Sequence, residues 1–248
     1  SDGSTVYAAT VGGLSISTDG GSNFSNKTTT NALGSNEVYG VYVVGSKIYA
    51  ATYSGLSISA NGGANFTNKT PSNALGYPSI YGVYAVGITV YAATYDGLSI
   101  STDGGANFSN KTTYNGLGHN RVFGVYAVGS TVYAATGGGL SISTDGGANF
   151  TNKTTSNGLG WNEVRWVYAI GSTVYAATAG GLSISTDGGA NFTNKTTSNG
   201  LGSDYVGGSV WGVYAVGNMV YAATSVGLSI STDGGANFTI KTTTNGLG

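Results

Sequence analysis

The chain has 248 residues, no cysteine, 8% charged residues and a formal net charge of −1. Nine Lys and Arg against ten Asp and Glu exclude a nucleic-acid binder that works through a basic patch. The missing thiols exclude disulfides, thiolate metal sites and cysteine nucleophiles, and no apolar run approaches the ~18–20 residues of a membrane-spanning helix.

Two phrases recur along the chain. The first, [VI]-Y-A-A-T, has its tyrosine at Tyr7, Tyr49, Tyr91, Tyr133, Tyr175 and Tyr221. The second is STDGGSNF at Ser17–Phe24, SANGGANF at Ser59–Phe66, and STDGGANF starting at Ser101, Ser143, Ser185 and Ser231. A repeat of about 42 residues cannot bury its own apolar face and must stack on its neighbours.

The chain opens at a turn, Ser1–Ser4, and residues 5–30 supply three β-rich runs. A further phrase, V-x-[GW]-V-Y-[AV]-[VI]-G, occurs five times, at Val38–Gly45, Ile80–Gly87, Val122–Gly129, Val164–Gly171 and Val210–Gly217. It supplies a first strand to every repeat except the opening one. A full unit is visible from Trp161 to Gly202. Val164–Ile170 and Thr173–Thr178 are β-rich and are separated by Gly171-Ser172. Leu182–Ser185 alternates apolar and polar, an Asp-Gly-Gly turn follows at Asp187, and Asn191–Thr197 reads as a fourth strand. Four strands in about 42 residues is the size of a propeller blade. The expectation is an all-β, six-bladed β-propeller of 23 strands forming one domain over 1–248. Its blades fall at about 1–34 (lacking the innermost strand), 35–76, 77–118, 119–160, 161–202 and 203–248.

The octapeptide resembles the Asp-box, S-x-D-x-G-x-x-W, of sialidase-like and other BNR-repeat β-propellers, with Phe at the Trp position in all six copies. The resemblance covers the whole chain and implies the propeller fold. Sialidases hold the substrate carboxylate with three arginines; only Arg121 and Arg165 occur here, so that activity does not carry over. In this reading Asp19, Asn61, Asp103, Asp145, Asp187 and Asp233 are structural: the side chain accepts from turn N–H groups while the glycines take positive φ. One carboxylate per turn is sparse for calcium, so neither a metal nor a cofactor is expected. Lys27, Lys69, Lys111, Lys153, Lys195 and Lys241 fall on the fourth strand, where a lysine discourages edge-to-edge pairing.

Two of the four connections vary between repeats. One follows N-[AG]-L-G and the other follows A-A-T; in an up-and-down blade both emerge on the same side. They carry Glu37, Tyr53, Tyr77, Tyr95, Asp96, His119, Arg121, Trp161, Glu163, Arg165, Trp166, Asp204, Tyr205 and Trp211. Binding residues concentrate on loops of a rigid scaffold, and Trp, Tyr and Arg are frequent anchors. The function read from this pattern is a non-enzymatic, extracellular, bacterial binding module whose partner is a glycan or a surface protein. An alternative is a surface or filament subunit that binds copies of itself through the open first blade by strand donation. A third reading, glycoside hydrolysis, would need two of the loop carboxylates. A lone His119 does not make a metal site.

Overall fold

A computed structural model describes residues 3–202 and 208–247. Asp204 and Tyr205 therefore lie outside the described residues. The fold is a six-bladed β-propeller, with 23 strands among the described residues in five four-stranded antiparallel sheets and one three-stranded sheet. The three-stranded sheet is the first: Val6–Thr10, Gly13–Ser17 and Ser25–Lys27. No helix among the described residues is long and apolar enough to cross a membrane.

The chain divides into two compact units, residues 1–112 with 120–125 and residues 113–119 with 126–248. In the first, Val38–Val44, Lys47–Thr52, Gly55–Ser59 and Thr67–Lys69 form one full sheet. In the second, Val164–Ile170, Thr173–Thr178, Gly181–Ser185 and Thr193–Lys195 do the same.

Period-two alternation gives each blade two apolar faces. Tyr175 pairs with Ile184 and Ala177 with Leu182, so these four share a face. Together with Leu201 they bury Val210, Val213, Ala215, Val220, Ala222 and Phe238 of the next blade. The first unit repeats this arrangement: Leu14, Ile16 and Leu33 pack on Val38, Ile48, Ala50 and Phe66. Each buried Leu, Ile or Phe contributes about 1.5–3 kcal/mol, so stability resides chiefly between blades rather than within one.

Two polar bonds fasten successive blades. The Phe66, Phe150, Phe192 and Phe238 amides donate to the carbonyls of Asn31, Asn115, Asn157 and Asn199 at 2.8–3.2 Å. The Gly34, Gly76, Gly118, Gly160 and Gly202 amides donate to the hydroxyls of Ser57, Ser99, Ser141, Ser183 and Ser229, each at 2.9 Å.

The fourth strand is shorter than the sequence suggests. It ends at Lys195, and Thr197–Asn199 forms a 3-10 turn, as five other segments do. Thr196 and Asn199 make a capping box: the Asn199 side chain accepts from the Thr196 N–H at 3.2 Å, and Ser198 N–H donates to Thr196 Oγ1. The turn closes on Gly200 in the left-handed region, a place taken by Ala32 and Ala74 (both φ 63) in the first two blades. Lys69 departs from a purely edge-guarding role, because its Nζ donates to the Ala106 carbonyl of the following Asp-box.

Each Asp-box is a closed hydrogen-bond circuit. In the first copy, Ser17 Oγ donates to Asp19 Oδ1 at 2.7 Å, and Gly21 N–H donates to Ser17 Oγ. Asn23 donates to the carboxylate twice, from its backbone N–H and from Nδ2. At Asn61 the amide oxygen still accepts from Ser59 and from the Asn65 N–H, so the turn keeps its form without a carboxylate.

Candidate functional site

The variable residues sit on connections that recurring residues hold still. The threonine of A-A-T begins the turn between second and third strands. Thr52 Oγ1 donates to the Gly55 carbonyl at 2.8 Å and accepts from Ser54 N–H. From the far side, an asparagine of the fourth strand clamps the same turn: Asn68 Nδ2 donates to the Ser54 carbonyl, and Asn110 Nδ2 to that of Asp96. The same asparagine accepts a serine hydroxyl through its Oδ1, as Asn110 does from Ser99. Sequence reasoning passes over this asparagine in favour of the lysine beside it. Asn110→Ala removes both bonds and takes the acceptor from the buried Ser99 hydroxyl, which then only accepts from Gly76 N–H. The expected cost is about 1–2 kcal/mol, read by urea denaturation, with faster amide exchange at Tyr95 and Asp96.

The two kinds of variable connection touch. Tyr53 N–H donates to the Glu37 carbonyl, Gly97 N–H to that of Asn120, and Ala179 N–H to that of Glu163. Asn120 Nδ2 donates to Asp96 Oδ1 at 2.8 Å.

In the first unit this assembles an aromatic cluster around one cation. The Arg121 guanidinium carbon lies 4.7 Å from the Phe123 ring centroid, 5.6 Å from that of Tyr81 and 5.7 Å from that of Tyr95. Tyr95 stands against Tyr77 at 5.2 Å, and both are exposed, as is Tyr53. The Tyr39 hydroxyl donates to Glu37 Oε1 at 3.0 Å. A guanidinium over several rings gains roughly 0.5–1 kcal/mol per contact at exposed sites.

In the second unit, the Arg165 guanidinium carbon lies 3.8 Å above the Trp211 ring, and its Nε donates to Glu163 Oε1 at 3.0 Å. Arg165 Nη1 is buried and has no hydrogen-bond partner among the described residues. Trp161 and Trp211 are 58% and 57% exposed, far more than a core tryptophan. His119 lies against the Gly137–Gly138 turn. Trp166 has a different role: it packs against the apolar cluster of Tyr175 and Val210.

The structure adds a row that the sequence does not reveal. In four blades the first strand carries a β-bulge. Val38 pairs with Thr52 and Gly40 with Ala51, leaving Tyr39 between; Tyr81, Arg165 and Trp211 occupy the same place. Phe123 holds it by sequence position. A bulge re-aims the extra side chain. Tyr39, Tyr81 and Phe123 accordingly follow one another with ring centroids 6.2 Å apart. The detectable signal is a large, variable residue held between an invariant aliphatic residue and Gly or Trp. A second row stacks on the same strands: Tyr42 on Tyr84 at 4.5 Å, and Tyr126 on Tyr168 on Tyr214 at 5.0 and 5.1 Å. Burial, then the neighbouring tyrosines, push the Tyr168 phenol up to about 12.

Indentations of 400, 360 and 390 Å³ lie between consecutive Asp-boxes. Their linings are nearly the same each time and include none of the variable-connection residues, so they distinguish no ligand.

No protein-family model and no curated protein matches the sequence. Solved structures do resemble it. One is the extracellular domain of BT3049, assigned to a hybrid two-component system of B. thetaiotaomicron. The TM-score is 0.74 at 19% identity, covering 96% of this chain and 33% of that one. A second is YCF48 bound to D1 peptide, with a TM-score of 0.70 at 15% identity, covering 100% and 80%. A third is an ancestral GH74 enzyme, with a TM-score of 0.66 at 20% identity, covering 95% and 36%. The likeness is one of fold. The chain spans about a third of the BT3049 domain, and a propeller scaffold hosts many unrelated functions.

Proposed function

We propose that this chain is a non-enzymatic, extracellular binding module that holds a carbohydrate or protein ligand on its variable connections. The observation that carries this reading is the exposure of Trp161, Trp211, Tyr53, Tyr77 and Tyr95 on the variable connections and the bulge beside them, with Tyr53 and Tyr95 on turns clamped by Asn68 and Asn110. Rigid, exposed aromatic rings lose little entropy on binding and suit both sugar C–H faces and peptide side chains. The described loop carboxylates orient neighbours instead of standing ready for hydrolysis: Glu37 takes Tyr39, Asp96 takes Asn120 and Glu163 takes Arg165. The extracellular placement of the BT3049 domain and the peptide on YCF48 support the reading by analogy of fold.

A glycan array and a displayed peptide library, both probed with the purified chain, separate the two ligand classes. With a hit in hand, Trp161→Ala and Tyr95→Ala are each expected to weaken binding by about 10–100-fold, as anchor residues do, with the melting temperature unchanged. Absence of any binder on either platform, or full affinity in both variants, would count against the proposal.

A further inference from the structure

The phrase Asn-Glu-Val occurs twice, at Asn36–Val38 and at Asn162–Val164. In both copies the glutamate stands just before the bulge, and the next blade in the same unit carries an aromatic residue near it: Tyr81 after the first copy and Trp211 after the second. The second copy is filled by the chain itself. Its bulge residue is Arg165, whose Nε donates to Glu163 Oε1 at 3.0 Å while its guanidinium carbon lies 3.8 Å from the Trp211 ring centroid. Carboxylate, guanidinium and ring form a complete set.

The first copy has the carboxylate and the rings without the cation. Its bulge residue is Tyr39, whose hydroxyl donates to Glu37 Oε1 at 3.0 Å. Glu37 forms no ion pair among the described residues, and its Oε2 accepts no hydrogen bond there. Tyr53 is held beside it: the Tyr53 N–H donates to the Glu37 carbonyl at 3.0 Å, and Asn68 fastens the same turn through the Ser54 carbonyl. Tyr39 and Tyr53 are 41% and 56% exposed, and the Tyr81 ring centroid lies 6.2 Å from that of Tyr39. Burial first, then Glu37, then the Tyr53 and Tyr81 phenols push the Tyr39 phenol up, so these four side chains share one neighbourhood. The other end of this row already takes a guanidinium, because Arg121 lies over Phe123 and Tyr81. No cation of the described residues lies over Tyr39 or Tyr53.

We infer that Glu37, Tyr39 and Tyr53 form a receptor for an arginine side chain presented by a protein partner. All three residues, and Tyr81 beside them, belong to one compact unit. A guanidinium is planar and weakly hydrated, so it can lay its face on a phenol ring while its N–H edge meets the open Glu37 oxygen. A lysine ammonium satisfies the carboxylate but is more strongly hydrated and stacks less well. A neutral sugar can stack on the rings but brings no charge to Glu37. The inference rests on the binding function proposed above and selects a protein ligand over a carbohydrate one.

The test is an NMR titration of the whole chain with the terminally blocked peptide Gly-Gly-Arg-Gly-Gly and with its citrulline counterpart, which keeps the shape and loses the charge. The arginine peptide is expected to shift the ring resonances of Tyr39 and Tyr53. The citrulline peptide is expected to bind at least about 10-fold more weakly, and Glu37→Gln to weaken the arginine peptide by a similar factor, with the melting temperature confirming that the variant folds. Added salt should weaken the wild-type complex and leave the residual binding of Glu37→Gln nearly unchanged. Equal affinity for the two peptides, full affinity in Glu37→Gln, or shifts that avoid Tyr39 and Tyr53 would overturn the inference. Silence in these titrations, with a glycan or library binder that depends on Trp161 or Tyr95, overturns the arginine receptor and leaves the binding module standing. Silence in every assay counts against both.

Discussion

Gly181→Ala is expected to destabilise the protein by about 3–5 kcal/mol, whereas Gly158→Ala costs about 1 kcal/mol, although both glycines have positive φ. Gly181 opens the third strand at φ 129, a conformation L-residues rarely adopt, and an added Cβ would lie 2.3 Å from the backbone carbonyl oxygen of Lys195. That oxygen belongs to the neighbouring strand and cannot rotate away, so backbone strain of about 1–3 kcal/mol adds to an overpacking cost of similar size. Gly158 looks worse by distance alone, with the Phe192 carbonyl oxygen 2.0 Å from the added atom. The chain already shows the remedy: Ala32 and Ala74 fill the equivalent place at φ 63. The Phe66 amide bond to Asn31 is then 3.2 Å, against 2.8 Å for Phe192 to Asn157. The left-handed turn thus yields by some tens of degrees at a modest cost. Urea denaturation of both variants checks the contrast; equal losses would show that the φ shift is not available to Gly158.

The second large effect is on acid stability. The five Asp-box carboxylates are held below their ordinary value of 3.8: Asp19 at about 2, and Asp103, Asp145, Asp187 and Asp233 lower still. For Asp19, Asp103, Asp187 and Asp233 the largest cause is the backbone N–H of the asparagine four residues on; for Asp145 it is the Ser143 hydroxyl. A folded-state value depressed below the unfolded one contributes stability that is complete above about pH 4 and is lost as pH falls through the folded-state values. The melting temperature is therefore expected to be level above about pH 4 and to drop as pH falls toward about 2. Each carboxylate is exposed to solvent, so the effect arises from five small contributions. Asn61 indicates the control. A chain carrying Asp19→Asn, Asp103→Asn, Asp145→Asn, Asp187→Asn and Asp233→Asn keeps the turns and loses their titration. Its melting temperature should change little over the same interval by calorimetry. An equally steep acid limb in that variant would place the titrating groups elsewhere.

The blades were legible because their signals are local. Tyr-Ala-Ala-Thr sets a strand and its closing turn, and Asp-Gly-Gly sets the next turn, so repetition alone gives the number and order of sheets. The loops that carry Trp161, Arg121 and Tyr95 were legible as departures from the repeat. The bulge row was hidden for a physical reason. Val38–Val44 reads as one β-rich run, and an extra residue such as Tyr39 breaks the two-residue period without leaving a compositional mark. The Asn68 and Asn110 clamps were hidden because they act across 14 residues of sequence, and asparagine in a strand usually signals only a break. The fourth strand was overextended because Thr196 has a high strand propensity, while its partner Asn199 uses it as a helix cap.

Because Tyr39, Tyr81, Arg165 and Trp211 fall outside the ladder pairing of their strands, their identity is uncoupled from that of their neighbours. Val38, Ile80, Val164 and Val210 on one side remain aliphatic and buried whatever the adjacent residue is. The same backbone slot accepts a phenol, a guanidinium or an indole. It separates what this position displays from what keeps the strand buried, so the displayed side chain can change while the aliphatic residue beside it stays unaltered.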